Sequence, residues 1–260
     1  MRQKPTKPSG SSIARRASPV FNRLRSAVPI GLAAVISVFV FVTDALAVPT
    51  TVPTGLAPGT QYRLAFVTST VRNATSANIS DYNAFVSAAA NAVSELAALG
   101  TGWTAIASTT TVDARDNTST SQAPAGPNGV AIYLMNDVKL ADHYDDLWDG
   151  TIDSVLGIDE NGNAVGGDTR VWTGTTFFGT ATATSALGVP TTEVTHGRTT
   201  FSSAAWVTGQ TLAKSNQLHL YGISDILTVQ EDVVLSEPGA LPLVLFSLIT
   251  MVMVSRQARL

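Results

Sequence analysis

Tyr62-Arg63-Leu64-Ala65-Phe66-Val67-Thr68 is the stretch on which the reading of this chain turns. Tyr62, Leu64 and Phe66 recur at every second position, so an extended backbone puts them on one side and the segment is expected to be a half-buried first strand. After a polar turn, Ser80 is placed to cap a helix in which Tyr82, Phe85, Val86, Ala89, Val93 and Leu96 recur at spacings of three and four. That amphipathic helix is expected to end at Gly100, a residue suited to the left-handed C-terminal position. Residues 103–108 then read as a second strand, 130–134 as a short strand, and 140–148 as a short helix rich in aspartate. Residues 171–173 and 218–222 supply two later strands. Between them, residues 174–216 are rich in Thr and Gly with little periodicity, and a loop of that length inside a domain is usually functional or poorly ordered.

The two ends of the chain have a different character. Arg2, Lys4, Lys7, Arg15, Arg16, Arg23 and Arg25 precede an apolar stretch over 28–42, and Ala45-Leu46-Ala47 follows as a small-x-small cleavage site. Residues 1–47 therefore read as a secretory signal peptide cut before Val48, with signal peptidase as the implied partner and Ala45 and Ala47 as the cleavage-site residues. An uncleaved N-terminal anchor is the alternative. Arg15-Arg16 is not followed by the apolar pair of a twin-arginine signal, since Ala17-Ser18-Pro19 stands there. Pro49, Pro53 and Pro58 make residues 48–60 an extended linker rather than folded structure.

At the other end Ser236-Glu237-Pro238 precedes the apolar run Gly239 to Val254, and Arg256 and Arg259 follow it. Those 16 residues span about 24 Å as a helix, somewhat short of a roughly 30 Å hydrocarbon core. Local thinning and snorkelling would let such a transmembrane helix hold the chain in a bilayer, and the two arginines would keep its end cytoplasmic. This order of short motif, greasy helix and basic terminus resembles the PEP-CTERM sorting signal of bacterial exported proteins. The resemblance implies processing by an exosortase-type enzyme acting at a motif that here is Ser236, Glu237 and Pro238, without the first proline. Residues 231–260 are thus expected to be a sorting or anchor segment.

The net charge of −3 hides an asymmetry, because residues 48–235 carry seven Lys or Arg against 17 Asp or Glu, about −10. Such acidity disfavours nucleic acid and anionic membrane as partners of the middle region. The region is long enough for one domain that buries roughly 70% of its unfolded surface. Cysteine is absent, which excludes disulfides, thiolate metal sites, Cys nucleophiles and haem attachment.

The order of elements over residues 61–230 resembles the C-type lectin-like fold in its endostatin-like branch. The fragments that carry the likeness are Leu64-Ala65-Phe66-Val67-Thr68-Ser69 before the helix, Trp103-Thr104-Ala105-Ile106-Ala107-Ser108, Val112-Asp113-Ala114 and Val130-Ala131-Ile132-Tyr133-Leu134. Asp146-Leu147-Trp148-Asp149-Gly150, Val171-Trp172-Thr173-Gly174, Gly179 and Leu218-His219-Leu220-Tyr221 complete the set. The resemblance implies a single α+β domain with short strands, one main amphipathic helix and long loops. The disulfides common in that fold are impossible here. The Glu-Pro-Asn or Gln-Pro-Asp triplet and the Trp-Asn-Asp triplet, with which sugar-binding members hold calcium, are missing.

Candidate chemistry is sparse. Asp142, His143, Asp145 and Asp146, with Asp149 and Asp153 beyond, form the densest set of possible metal ligands, and on a helical turn Asp142, Asp145 and Asp146 would share a face. Unless calcium binds there, the cluster is a solvated acidic face. Asp159-Glu160-Asn161-Gly162-Asn163 has the composition of a calcium loop, but Ala164 and Arg170 stand where an EF-hand needs Gly and Glu, so a tight turn is expected. His143, His196 and His219 show no local metal or triad spacing, Gly-x-Ser-x-Gly is absent, and His219 is expected to face solvent or a loop. Trp103 and Trp172 are expected in the core, with Trp148 and Trp206 open for sugar stacking. The sequons at Asn73, Asn78 and Asn117 are expected to be ordinary turn residues.

Together these readings point to an exported, non-enzymatic cell-envelope or extracellular-matrix protein, with no catalytic, cofactor or metal residues and a membrane contact through its terminal segments. The alternative is a glycan- or calcium-binding module of the exopolysaccharide layer, using residues 142–153 or 174–216. A secreted hydrolase is the third reading.

Overall fold

A computed structural model of the chain describes residues 47–121 and 128–231. Residues 1–46, including Ala45, and the expected sorting motif and apolar run after residue 231 lie outside the described residues. Among the described residues no helix is long and apolar enough to cross a membrane.

The described chain forms β1 (Gln61–Val67), α1 (Ile79–Asn91), α2 (Ser94–Ala97), β2 (Trp103–Ala105) and α3 (Ala114–Asn117). It continues with β3 (Ala131–Leu134), β4 (Lys139–Ala141), α4 (Tyr144–Leu147), β5 (Arg170–Trp172) and β6 (Glu193–Arg198). A 3-10 turn (Ala204–Trp206), β7 (Gln210–Ala213), β8 (His219–Ser224) and β9 (Leu227–Thr228) complete it. All the strands join one mixed sheet in the order β4-β3-β1-β8-β5-β6-β7, with β2 also paired to β8 and β9 to β1. β1 runs parallel to β3 and antiparallel to β8, which places the first strand beside the last long one.

Tyr62, Leu64 and Phe66 do share a face, where they pack with Tyr82 and Val86 of α1, Trp103 and Leu220. The half-buried expectation fails on the other side. Ala65 and Val67 pack into a second cluster with Ile132, Leu147, Trp148 and Trp206, and Arg63, two residues before Ala65, is only 2% exposed. β1 is therefore a central strand covered on both faces. At the seam between sheet and helix, a side chain on Gly222 of β8 would meet Val86 at 2.6 Å and Phe66 at 2.7 Å, so the close approach of α1 requires glycine there.

The main helix departs from the expected outline at both ends. Asn78 caps it, its side-chain oxygen accepting the Ser80 N–H at 3.2 Å. Val93 is extended (φ −99°, ψ 119°) and interrupts the helix before α2, while Gly100 takes the left-handed conformation foreseen for it (φ +59°). Residues 140–148 divide into the end of β4 and the short α4, because Ala141 pairs with Ile132 of β3 rather than continuing a helix. Residues 174–216 contain β6, the 3-10 turn and β7. Residues 48–60 form neither helix nor strand, yet they are strapped to the domain: Pro49 and Pro53 are buried, the Thr50 N–H donates to Met135 O at 2.7 Å, and the Tyr62 hydroxyl donates to Thr51 O at 2.7 Å.

Candidate functional site

The packed chain begins at Pro49, which lies against the turn at Gly162. Ala47 and Val48 are exposed, Val48 by 67%, while Pro49 is buried and Thr50 is already hydrogen-bonded to the domain. The Ala47–Val48 bond thus stands just outside the first packed residue. At the other limit β9 pairs with the start of β1, the Gly59 N–H donates to Val229 O and the Val229 N–H donates to Thr60 O, each at 2.9 Å. Val52, Tyr62, Leu99, Ile226, Leu227 and Gln230 line one cavity of about 720 Å³, so the first and last packed segments share a single side of the fold.

The acidic cluster takes a different form from the helical face expected of it. Asp142 sits in the turn after β4, and it is Asp146 and Asp153, not Asp145, that bring carboxylate oxygens within 4.8 Å of it. Asp145 instead accepts the Asn128 N–H at 3.0 Å. Lys139 pairs with Asp142 and lies 3.7 Å from Asp153, and Asp146 accepts the Asp142 N–H at 2.6 Å. Hydrogen bonding to Asp142 holds the Lys139 ammonium above its ordinary pKa, and the same contact holds the Asp142 carboxyl below its own. The charge that a cation would neutralise is already partly balanced by this lysine. His143 caps α4, its Nδ1 accepting the Asp146 N–H at 3.1 Å.

Asp159 builds the tight turn that its sequence implies. Its Oδ1 accepts the N–H groups of Asn161 at 2.9 Å and Asn163 at 2.8 Å, and Gly162 adopts φ +82°. A side chain that sequence reasoning passed over is Glu160, which the turn sends inward to 4% exposure, where it accepts the Ser69 N–H at 2.8 Å and the Ser69 hydroxyl. Nothing in its local pattern signals burial, because the covering residues come from distant segments.

The remaining histidines are engaged with backbone. His196 is buried against Trp172, with Nδ1 3.2 Å from Gly197 O, and burial lowers its pKa. His219 is half-buried, with Nδ1 against the carbonyl oxygen of Thr68, the residue that follows β1. All four tryptophans are buried, which removes Trp148 and Trp206 as a sugar-stacking platform; they face each other at 5.8 Å. Among the described residues the most exposed aromatic ring is instead Phe178, 53% accessible and 4.1 Å from Phe177. It stands on a turn closed by the Thr176 N–H to Thr180 O at 2.8 Å. Asn73 and Asn78 serve local turns and caps, while Asn117 bonds Asn83 and Ala105 O. Among known proteins, no family model and no curated relative matches the chain.

Proposed function

We propose that this chain is an exported, non-enzymatic protein of the cell envelope or extracellular matrix, bracketed by two routing segments. Signal peptidase cuts the Ala47–Val48 bond, and an exosortase-type enzyme handles the PEP-CTERM-like tail at Ser236, Glu237 and Pro238. The observation that supports this most is the exposed Ala47–Val48 bond, which stands one residue before the first buried residue, Pro49. A peptidase needs an accessible, extended segment at its cut site. In this reading the middle is an endostatin-like, C-type lectin-like domain, with which a mixed sheet and few helices are compatible.

Replacing Glu237 and Pro238 by alanine tests the routing in fractionated cells. The expected result is a longer species accumulating in the membrane fraction; unchanged mass and distribution would contradict the proposal.

A second reading, a glycan-binding module, is favoured by Phe178, since an exposed ring beside a second ring offers a stacking face for a sugar. Phe178→Ala should then abolish retention on immobilised cell-surface polysaccharide, and undiminished retention would dismiss this reading.

A further inference from the structure

Helix α1 and the turn residues Glu160 and Asn161 border an open cavity of about 310 Å³, at the lower end of the size of small-molecule sites. Phe85, Ala88, Ala89, Ala92 and Val93 line it on the helix side, and Ser69, Thr70, Glu160 and Asn161 complete the lining. The Glu160 carboxylate is buried, and its described donors, the Ser69 N–H and hydroxyl, are both neutral. Among the described ion pairs none includes it. Arg72, whose guanidinium stands 5.6 Å from the Phe85 ring centre, is committed elsewhere, donating to the carbonyls of Asn73 and Asp81.

A carboxylate offers about four acceptor positions, so roughly two remain after Ser69 is served. Burying that charge without a cation is costly, and the alanine wall leaves open the space that larger side chains would fill. A calcium ion would need six to eight oxygen ligands, whereas five of the nine side chains that line the cavity are apolar. A quaternary ammonium would have no N–H to give. We propose that the cavity binds a primary alkylammonium group, its N–H donors on the free acceptor positions of Glu160 and its alkyl chain along Phe85 and the alanines. Such a group belongs to a free alkylamine or to the lysine side chain of another protein. This site is independent of the routing of the chain.

Calorimetric titration of the full chain with n-pentylamine, 1-pentanol and Nα-acetyl-lysine amide tests the site. Saturable binding of pentylamine is expected, with the alcohol weaker by at least about tenfold because it brings no charge to Glu160. Glu160→Gln removes the charge, and Ala88→Leu, an exposed position of α1, narrows the cavity; each should weaken the amine by about tenfold or more. Acetyl-lysine amide binding with the same sensitivity to both variants would assign the group to a lysine side chain, and pentylamine binding alone would assign it to a free amine. Equal binding of amine and alcohol would overturn the proposal, as would an Ala88→Leu protein that binds pentylamine like the wild type. Should Glu160→Gln fail to fold, the amine-against-alcohol ratio and Ala88→Leu still decide.

Discussion

The two faces of β1 are covered by different means. Tyr62, Leu64 and Phe66 meet helix α1, which starts a short way down the chain and presents Tyr82, Val86 and Ala89 at helical spacing. On the opposite face Ala65 and Val67 meet Trp148, Trp206, Leu140 and Leu147, gathered from short elements and turns far along the chain, with a buried arginine among them. One face is closed by a periodic, local element. The other is closed by large side chains and specific hydrogen bonds, so it should be the more fragile to single substitutions.

The largest break in that contrast is expected from Trp148→Ala. It empties the space beside Trp206 and removes the indole N–H bond to Thr120 Oγ1 at 2.9 Å, and should cost about 3–5 kcal/mol in urea denaturation. A loss under about 1 kcal/mol would mean that the second cluster collapses to refill the space. Arg63→Met probes the same face through polar groups. The guanidinium donates to Ser224 O at 2.6 Å and Thr118 O at 2.7 Å and lies 5.6 Å from the Tyr144 ring centre, so the variant should lose about 1–3 kcal/mol by orphaning those carbonyls. Burial holds the Arg63 pKa below its ordinary value. Unchanged stability would show that methionine packing offsets the lost bonds.

These two residues also explain what the sequence could and could not reveal. The alternation at Tyr62, Leu64 and Phe66 and the three-and-four spacing of α1 are local patterns, so strand, helix and shared face were all legible. Arg63 reads as an outward charge, because its partners Ser224 and Thr118 lie 161 and 55 residues away. That single misleading position makes a central strand look like a half-covered one. The acidic cluster fails for a related reason: helical spacing joins Asp142 to Asp145, whereas pairing of β4 with β3 turns the chain and brings in Asp153. Near the start of the described chain, composition gave no sign that residues 49–54 are strapped onto the domain, which depends on Met135 and Asp137.

A smaller effect should distinguish the α1 face by its pH response. Burial lowers the pKa of His196, packed on Trp172, below 6.5, so the unfolded chain takes up this proton at a higher pH than the folded one. The stability contributed by the neutral ring is complete above pH 6.5 and is lost as pH falls through the folded value. Between about pH 7 and about pH 5 the wild-type denaturation midpoint should fall more steeply than that of His196→Gln, and parallel slopes would contradict this. The smallest effect lies outside both faces. Asp142 is exposed and paired with Lys139, so neither Asp142→Asn nor millimolar calcium should move the melting temperature; a calcium-dependent rise would instead mark the Asp142, Asp146 and Asp153 cluster as a cation site.

The central claim is that one folded region is bracketed by segments that serve export and retention. Intact-mass measurement of the protein recovered from cytoplasmic, envelope and medium fractions decides it, with the mature form expected in the last two. The account predicts an N-terminus at Val48 in both of these, and a species retaining residues 1–47 and 236–260 in the cytoplasm would contradict it.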